Sequence, residues 1–473
     1  MRENRKWPAL LTVIIAGGIL IGLVLVGRFL GVADNGDFAR MMNTVGLNYY
    51  AEESYSDRFF HYSHSRFAYD RIFSGFYPSS QILVILLPRL LFWPFQTHYF
   101  DIRLVGVVYS LLLTTATWIL VREASKRSAL TGLLTGAALL FVFYDIGYTA
   151  YFNSLFGEPV SMTFLLLTFA FGIRLTAAER PSNFNLSMFF ISACMMIASK
   201  IQNAPLGLAF ALIFLRIIGL KSKDKGWKKR CLVFAVSTLA LSVILYAGAP
   251  KELKRINIYQ TVFFGVLNGS DNIKGDLHDL GLPEKLSVLA GTNYFQTDTV
   301  IKQDDPSLNA DFYNRISHGD IALFYIKHPH RLYENMKYAA NNAFSIRPYY
   351  LGNYEKGEGK TSGSVSYLYS GWSEFKNGYV PHTIMFLGVF YLLYCAIWVW
   401  EYIRTSSIKY RTALELMALL GLIGLFSFLV PILGDGRADI GKHLFLFNVS
   451  FDLMMLAILI WLVHKFQAWF RLR

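Results

Sequence analysis

Charged side chains are sparse in this chain and cysteine is almost missing. Asp, Glu, Lys and Arg together make up 16% of the 473 residues, against 54% hydrophobic residues. That balance belongs to a polytopic membrane protein, not to a water-soluble domain. Cysteine occurs three times. Cys194 and Cys395 lie inside apolar runs and Cys231 follows a basic loop, so no pair has disulfide or zinc-ligand spacing. No internal repeat is visible, which weighs against the paired halves from which many transporters are built. Basic residues exceed acidic ones, with a formal charge of +13. They are scattered in short clusters between apolar runs, so the partner they imply is the lipid bilayer and no nucleic acid.

Ten apolar stretches are present: Trp7–Leu30, Ile102–Val121, Ala129–Phe143, Pro159–Gly172, Leu186–Ala198, Pro205–Gly219, Val233–Ala247, Thr383–Trp400, Ala413–Leu433 and Leu444–Val463. They predict an all-α bundle of about ten transmembrane helices, although several fall short of the roughly 20 residues of a straight crossing. The basic start Arg2, Arg5, Lys6 followed by an apolar run resembles a secretory signal, but that run is about twice too long and reads as a retained span. A further stretch, Ile82–Phe95, is interrupted by Pro88 and Arg89. If it crossed, the basic clusters at 122–127, 216–230 and 404–411 would fall outside, opposite the basic N-terminus. If it lies in the interface, all of them fall on the cytoplasmic side, as the Lys/Arg rule requires. Both termini are then expected in the cytoplasm. The layout becomes an N-terminal membrane module over residues 1–247 with a first external loop over 33–101, an α-rich external lobe over 248–382, and C-terminal membrane helices over 383–473.

With this topology the polar residues collect at one end of the bundle. Asp34 and Asp37, in Asp34-Asn-Gly-Asp-Phe38, follow the first span. Asn153 and Glu158 lie in the loop before the fourth. Lys200 sits in polar backbone between two short spans, which survives near membrane depth only against protein or a wet cavity. Arg437, Asp439, Lys442 and His443 crowd one loop, and Asp452 is the main charge deep in an apolar run. An acid at a membrane boundary is either a solvated helix stop or a catalytic carboxylate. In the second case Asp37 takes the proton of an attacking sugar hydroxyl, and Lys442, His443, Lys200 and Arg347 are candidates to stabilise a lipid phosphate leaving group. Glu158, Asn153, Arg437 and Asp439 are candidates for the substrate pocket, as are His61 and Arg66 of the first loop. Asp34 and Asp37 could share a divalent ion, but no third ligand is identifiable.

Four stretches, Asn35-Gly-Asp-Phe38, Tyr151-Phe-Asn-Ser-Leu-Phe-Gly-Glu-Pro159, Arg347-Pro-Tyr-Tyr-Leu-Gly-Asn353 and Gly434-Asp-Gly-Arg-Ala-Asp-Ile-Gly-Lys-His443, resemble those of bacterial glycan-biosynthesis hexose transferases linked to surface-layer glycans. The overall layout resembles the GT-C superfamily of membrane glycosyltransferases. The resemblance implies a bacterial plasma-membrane enzyme that moves a hexose from a polyprenyl-phosphate sugar to an envelope glycan on the outer face, with inversion. It places the catalytic acid on Asp37, with Asp34 as the alternative. It implies no required cofactor, with a divalent metal as the alternative, and a donor-lipid synthase as a further partner. Two other functions fit the same sequence: a lipid or solute transporter or flippase, and a glycan polymerase or ligase using a diphosphate-linked oligosaccharide.

Overall fold

The computed structural model describes residues 6–95 and 98–470. Arg2 and Arg5 lie outside the described residues, as do the last three positions of the chain. The protein is an all-α polytopic membrane protein. Among the described residues, seven helices are long and apolar enough to cross a membrane: Trp7–Leu25, Arg103–Ser125, Glu158–Ala177, Lys225–Ala247, Ile384–Arg404, Ile408–Asp435 and Phe445–Trp469. An eighth is completed if Ala129–Phe143 and Ile146–Asn153, bent by 56° at a short break, count as one span. The expected ten therefore become seven or eight by length and composition. The remaining two are shorter helices, Asn183–Ile197 and Leu206–Ile217, packed along Glu158–Ala177 and Lys225–Ala247. At 1.5 Å per residue neither covers a hydrocarbon core of about 30 Å alone.

Local chemistry explains where these helices begin. Ser128, Ser182, Asp224 and Ser407 each accept a hydrogen bond from a backbone N–H of the first helical turn. A capped start satisfies one of the orphan donors of a helix terminus. All four caps end short turns on one face of the bundle. The long connecting segments leave from the opposite face.

Helix Gln81–Phe92, at twelve residues, is too short to span a hydrocarbon core of about 30 Å by itself. At one end the Gln81 amide donates to Phe156 O (2.6 Å), and near the other Arg89 donates to Gly46 O (3.1 Å). Both acceptors belong to segments on the long-loop face. Gln81, Val84, Ile85 and Pro88 repeat at helical spacing and are buried, whereas Leu83, Leu87 and Leu90 stand exposed. One side packs on protein and the other is apolar and open, as in a helix lying along a bilayer surface.

Residues 248–382 divide between two cores. Tyr259, Phe263, Leu277, Leu289 and Phe312 belong to a separate apolar cluster that ends near Tyr325. Ala339, Phe344, Ile346 and Trp372 instead join the core of the bundle. The deep charge Asp452 anchors this second part. Its carboxylate accepts from Lys376 Nζ (2.5 Å), Trp372 Nε1 (2.9 Å) and Tyr148 Oη (2.6 Å), and both charged side chains of the pair are fully buried. The lobe core meets the bundle at Gly436, where a Cβ would lie 2.6 Å from Gln260 O and 2.9 Å from Gly265 Cα. With φ of +62° there, glycine is required on both counts.

Candidate active site

After the first span the chain runs extended and is pinned on both sides. Gly31 N donates to Asn353 O (3.0 Å) and Ala33 N to Gly352 O (2.9 Å), while the Asn353 amide donates to Gly31 O (2.7 Å). The turn that follows wraps around Asp34. Its Oδ1 accepts from Gly36 N (2.8 Å) and Phe38 N (3.0 Å), and its Oδ2 accepts from Tyr49 Oη (3.0 Å). Gly36, with φ of +102°, makes that turn. Burial pushes the Asp34 carboxyl up to about 6, against the lowering effect of these donors. With both oxygens engaged by the fold and the side chain fully buried, Asp34 is a scaffold for the loop.

The turn delivers Asp37 to the wall of a cavity of about 1260 Å³ on the long-loop face. Lys442 Nζ donates to Asp37 Oδ2, and Arg40 lies 3.2 Å from Oδ1. Burial opposes ionisation here. The Lys442 ammonium and the Arg40 guanidinium outweigh it and hold Asp37 well below the usual carboxylate range. Its side chain stays 31% open to the cavity although protein surrounds it. Lys442 is 0% exposed; burial disfavours its charge, but Asp37, Asp439 and Glu158 raise its proton affinity above that of a free lysine. It also donates to Asn35 Oδ1 (3.1 Å) and packs 4.1 Å from the Phe156 ring centroid.

Other charges on the same wall are paired as well. Lys200 bridges to Glu158, and His443 lies 2.7 Å from Asp435. Burial works against the His443 cation, but Asp435 more than compensates and raises its affinity for a proton. Asp439 accepts from the Asn35 amide (2.7 Å), and Arg437 donates to Asn335 Oδ1 (3.0 Å). The polar break holding Lys200 is satisfied by protein: Ser79 Oγ donates to Ser199 O (2.8 Å), and the Asn203 amide donates to Ser199 Oγ (3.0 Å).

Of the residues singled out from sequence, Asp37, Lys200, Glu158, Arg437, Asp439 and His443 line this cavity, and Lys442 lies directly behind Asp37. The others lie elsewhere. Arg347 is buried against Glu374 (2.6 Å) and the Ser366 carbonyl. The Asn153 amide is spent on Val24 O and Leu30 O, 2.9 Å each. His61 contributes its backbone to Gly352 and Gly363, and Arg66 stacks over Tyr99 at 4.3 Å. These four hold the wall and the first loop in shape. Arg40, Tyr77, Arg255, Gln260 and His318 line the cavity without having been singled out. Arg40 carried a signal, since it sits one helical turn from Asp37. The lobe residues carried none, because tertiary packing brings them over the membrane face. Among the described residues, no group of three or more His, Cys, Asp or Glu is arranged to hold a metal ion. Asp34 and Asp37 do not converge on one either: the first turns inward onto three donors and the second faces Lys442 and Arg40.

Fold and site together define a multi-pass membrane protein with a large cavity at the ends of its spans, largely apolar but carrying paired acids and bases on the wall around Asp37. The chain belongs to the family described as the YfdI N-terminal transmembrane domain, whose model matches residues 1–473. That membership fits a membrane glycosyltransferase in general. No curated protein matches the chain.

Proposed function

We propose that the protein transfers a hexose from a polyprenyl-phosphate carrier to a cell-envelope glycan, on the face opposite the short basic turns, as a GT-C-like enzyme. The observation that carries this reading is the meeting, in one cavity, of a carboxylate at the exit of the first span with the cations Arg40 and Lys200, and with Lys442 directly behind that carboxylate. An acceptor hydroxyl attacks the anomeric carbon as the bond to the carrier phosphate breaks. The hydroxyl proton passes to Asp37, and the electron pair leaves with the lipid phosphate, where Lys200 and Arg40 offset the growing charge. A single displacement inverts the anomeric centre.

The pairing of Asp37 adds a condition. A base held far below the working pH is always ionised, yet it takes a proton poorly. Asp37 becomes effective as Arg40 turns part of its charge toward the incoming phosphate. The deep acid Asp452 is consumed by Lys376, Trp372 and Tyr148 and lines none of this cavity, which leaves the transport reading without its deepest charge as a mid-membrane binding group. The test is transfer by the reconstituted protein from a panel of polyprenyl-phosphate hexoses, with the product's anomeric configuration read by NMR. Transfer that is unchanged in Asp37→Asn, or a retained configuration, overturns the mechanism.

A further inference from the structure

Arg437 and Arg255 on this cavity bond neutral amides, but around Asp37 the cations have carboxylate partners: Arg40 and, behind it, Lys442 on Asp37, Lys200 on Glu158, His443 on Asp435. An anion that binds at the Asp37 wall draws one of these away. Lys442 is fully enclosed and also tied to Asn35. Unlike Lys442, Lys200 has a single carboxylate partner, and its flexible stem leaves 19% of the side chain open to the cavity. Its partner is unusual too. Glu158 is 1% exposed, spends Oε1 on Lys200, lines the cavity, and has an Oε2 with no hydrogen-bond partner. A buried carboxylate oxygen without a donor is costly to leave so, and the deficit is met when a donor arrives.

We infer that Lys200 and Glu158 form an exchangeable pair: a phosphate group draws the Lys200 ammonium off Glu158, and Glu158 then accepts hydrogen bonds from a hydroxyl of the attached sugar. The sugar half rests on the function proposed above; the phosphate half does not. The pair makes Glu158 a competitor of the ligand. By linkage, anything that weakens Lys200–Glu158 strengthens phosphate binding by the same factor. The two residues should therefore act with opposite sign, whereas a purely structural ion pair would lose binding from either end.

The experiment is titration of the full-length protein in lipid nanodiscs with undecaprenyl phosphate, which carries no sugar. Glu158→Gln should bind about threefold to tenfold tighter than the wild type, and Lys200→Met about tenfold weaker. Because Lys200→Met strands a buried carboxylate, the double variant, which removes both charges, guards against misfolding; it should bind as weakly as the single lysine variant. Competition by inorganic phosphate would assign the contact to the phosphate group in general. Competition by farnesyl phosphate alone would assign it to a lipid headgroup. Weaker binding in Glu158→Gln, or unchanged binding in the double variant, overturns the exchange and leaves the proposed transfer standing. No binding by the wild type overturns the lipid-phosphate donor and the exchange together.

Discussion

Replacing Asp37 with asparagine separates the chemistry of this site from its architecture. The variant removes one negative charge beside a fully buried Lys442. Breaking a buried pair by losing one partner costs roughly 3–5 kcal/mol. Here the loss is smaller. Lys442 keeps Asn35 Oδ1 at 3.1 Å and Asp439 at 3.9 Å, and the new amide oxygen can still accept from it. A cost of about 1–3 kcal/mol follows, well inside a typical stability of about 5–15 kcal/mol. The protein should insert and fold. Its chemistry should not survive, because an amide cannot take the acceptor's proton. Loss of a general base lowers the rate by about 10²–10⁴, or roughly 3–5 kcal/mol of barrier. Asp34→Asn is the control. Asp34 is fully buried and accepts three hydrogen bonds, two of them from backbone N–H groups. The amide oxygen can keep both backbone donors and the amide nitrogen then faces the Tyr49 hydroxyl, which can accept, so the exchange costs about 1 kcal/mol. Melting temperature and single-turnover transfer, measured on both variants in the same nanodiscs, separate the two roles. Normal transfer in a folded Asp37→Asn protein, with loss of transfer in an equally stable Asp34→Asn protein, would refute the assignment.

Chelation by EDTA should leave transfer unchanged, because the two acids of the first loop are occupied by donors and cations; loss restored by Mg²⁺ or Mn²⁺ would overturn this. The Asp34 carboxyl titrates near 3.8 unfolded and near 6 folded, so between those values the folded state holds a proton that the unfolded state lacks, and this group's contribution to stability falls as pH rises through the window. Melting curves from pH 4 to 6 should show that slope in the wild type and lose it in Asp34→Asn. Asp452→Leu should destabilise by about 3–5 kcal/mol by stranding the Lys376 ammonium, and adding Lys376→Met should recover part of that loss in detergent-solubilised melts. Gly436→Ala should cost at least about 2 kcal/mol, from a left-handed backbone and a Cβ facing Gln260 O at 2.6 Å, and should expose the joint between lobe and bundle to limited proteolysis.

Much of the architecture is written in the chain because lipid imposes simple rules. Apolar length announces a span, and Lys/Arg clusters announce the short-turn face. Helix Gln81–Phe92 stood apart from the spans in the sequence because Pro88 and Arg89 break its apolar run, and it is a short helix with one buried and one exposed apolar side. The two short helices were the weakest stretches in the sequence, and they are also the ones that fall short of full spans. The acid loop was legible for a similar reason: charge at a membrane boundary is rare enough to stand out. Arg347 and Asn153 misled because a buried polar residue looks the same in sequence whether it binds a ligand or satisfies a neighbouring carbonyl. His61 and Arg66 misled for the converse reason, since polar residues of a surface loop give no sign of which way they face.

Sequence by itself determined that this protein crosses the membrane many times, and that acids and bases gather where the spans end, because hydropathy and charge act locally along the chain. It favoured Asp37 over Asp34 but could not show how their surroundings differ. Two carboxylates three residues apart are equivalent until a turn at Gly36 folds one inward onto backbone donors and leaves the other facing Lys442, some four hundred positions away. The pairing of Lys200 with Glu158, the capture of Asp452 by Lys376, and the arrival of Arg255 and His318 over the cavity are likewise products of tertiary packing. Each depends on distances that exist once the helices have assembled.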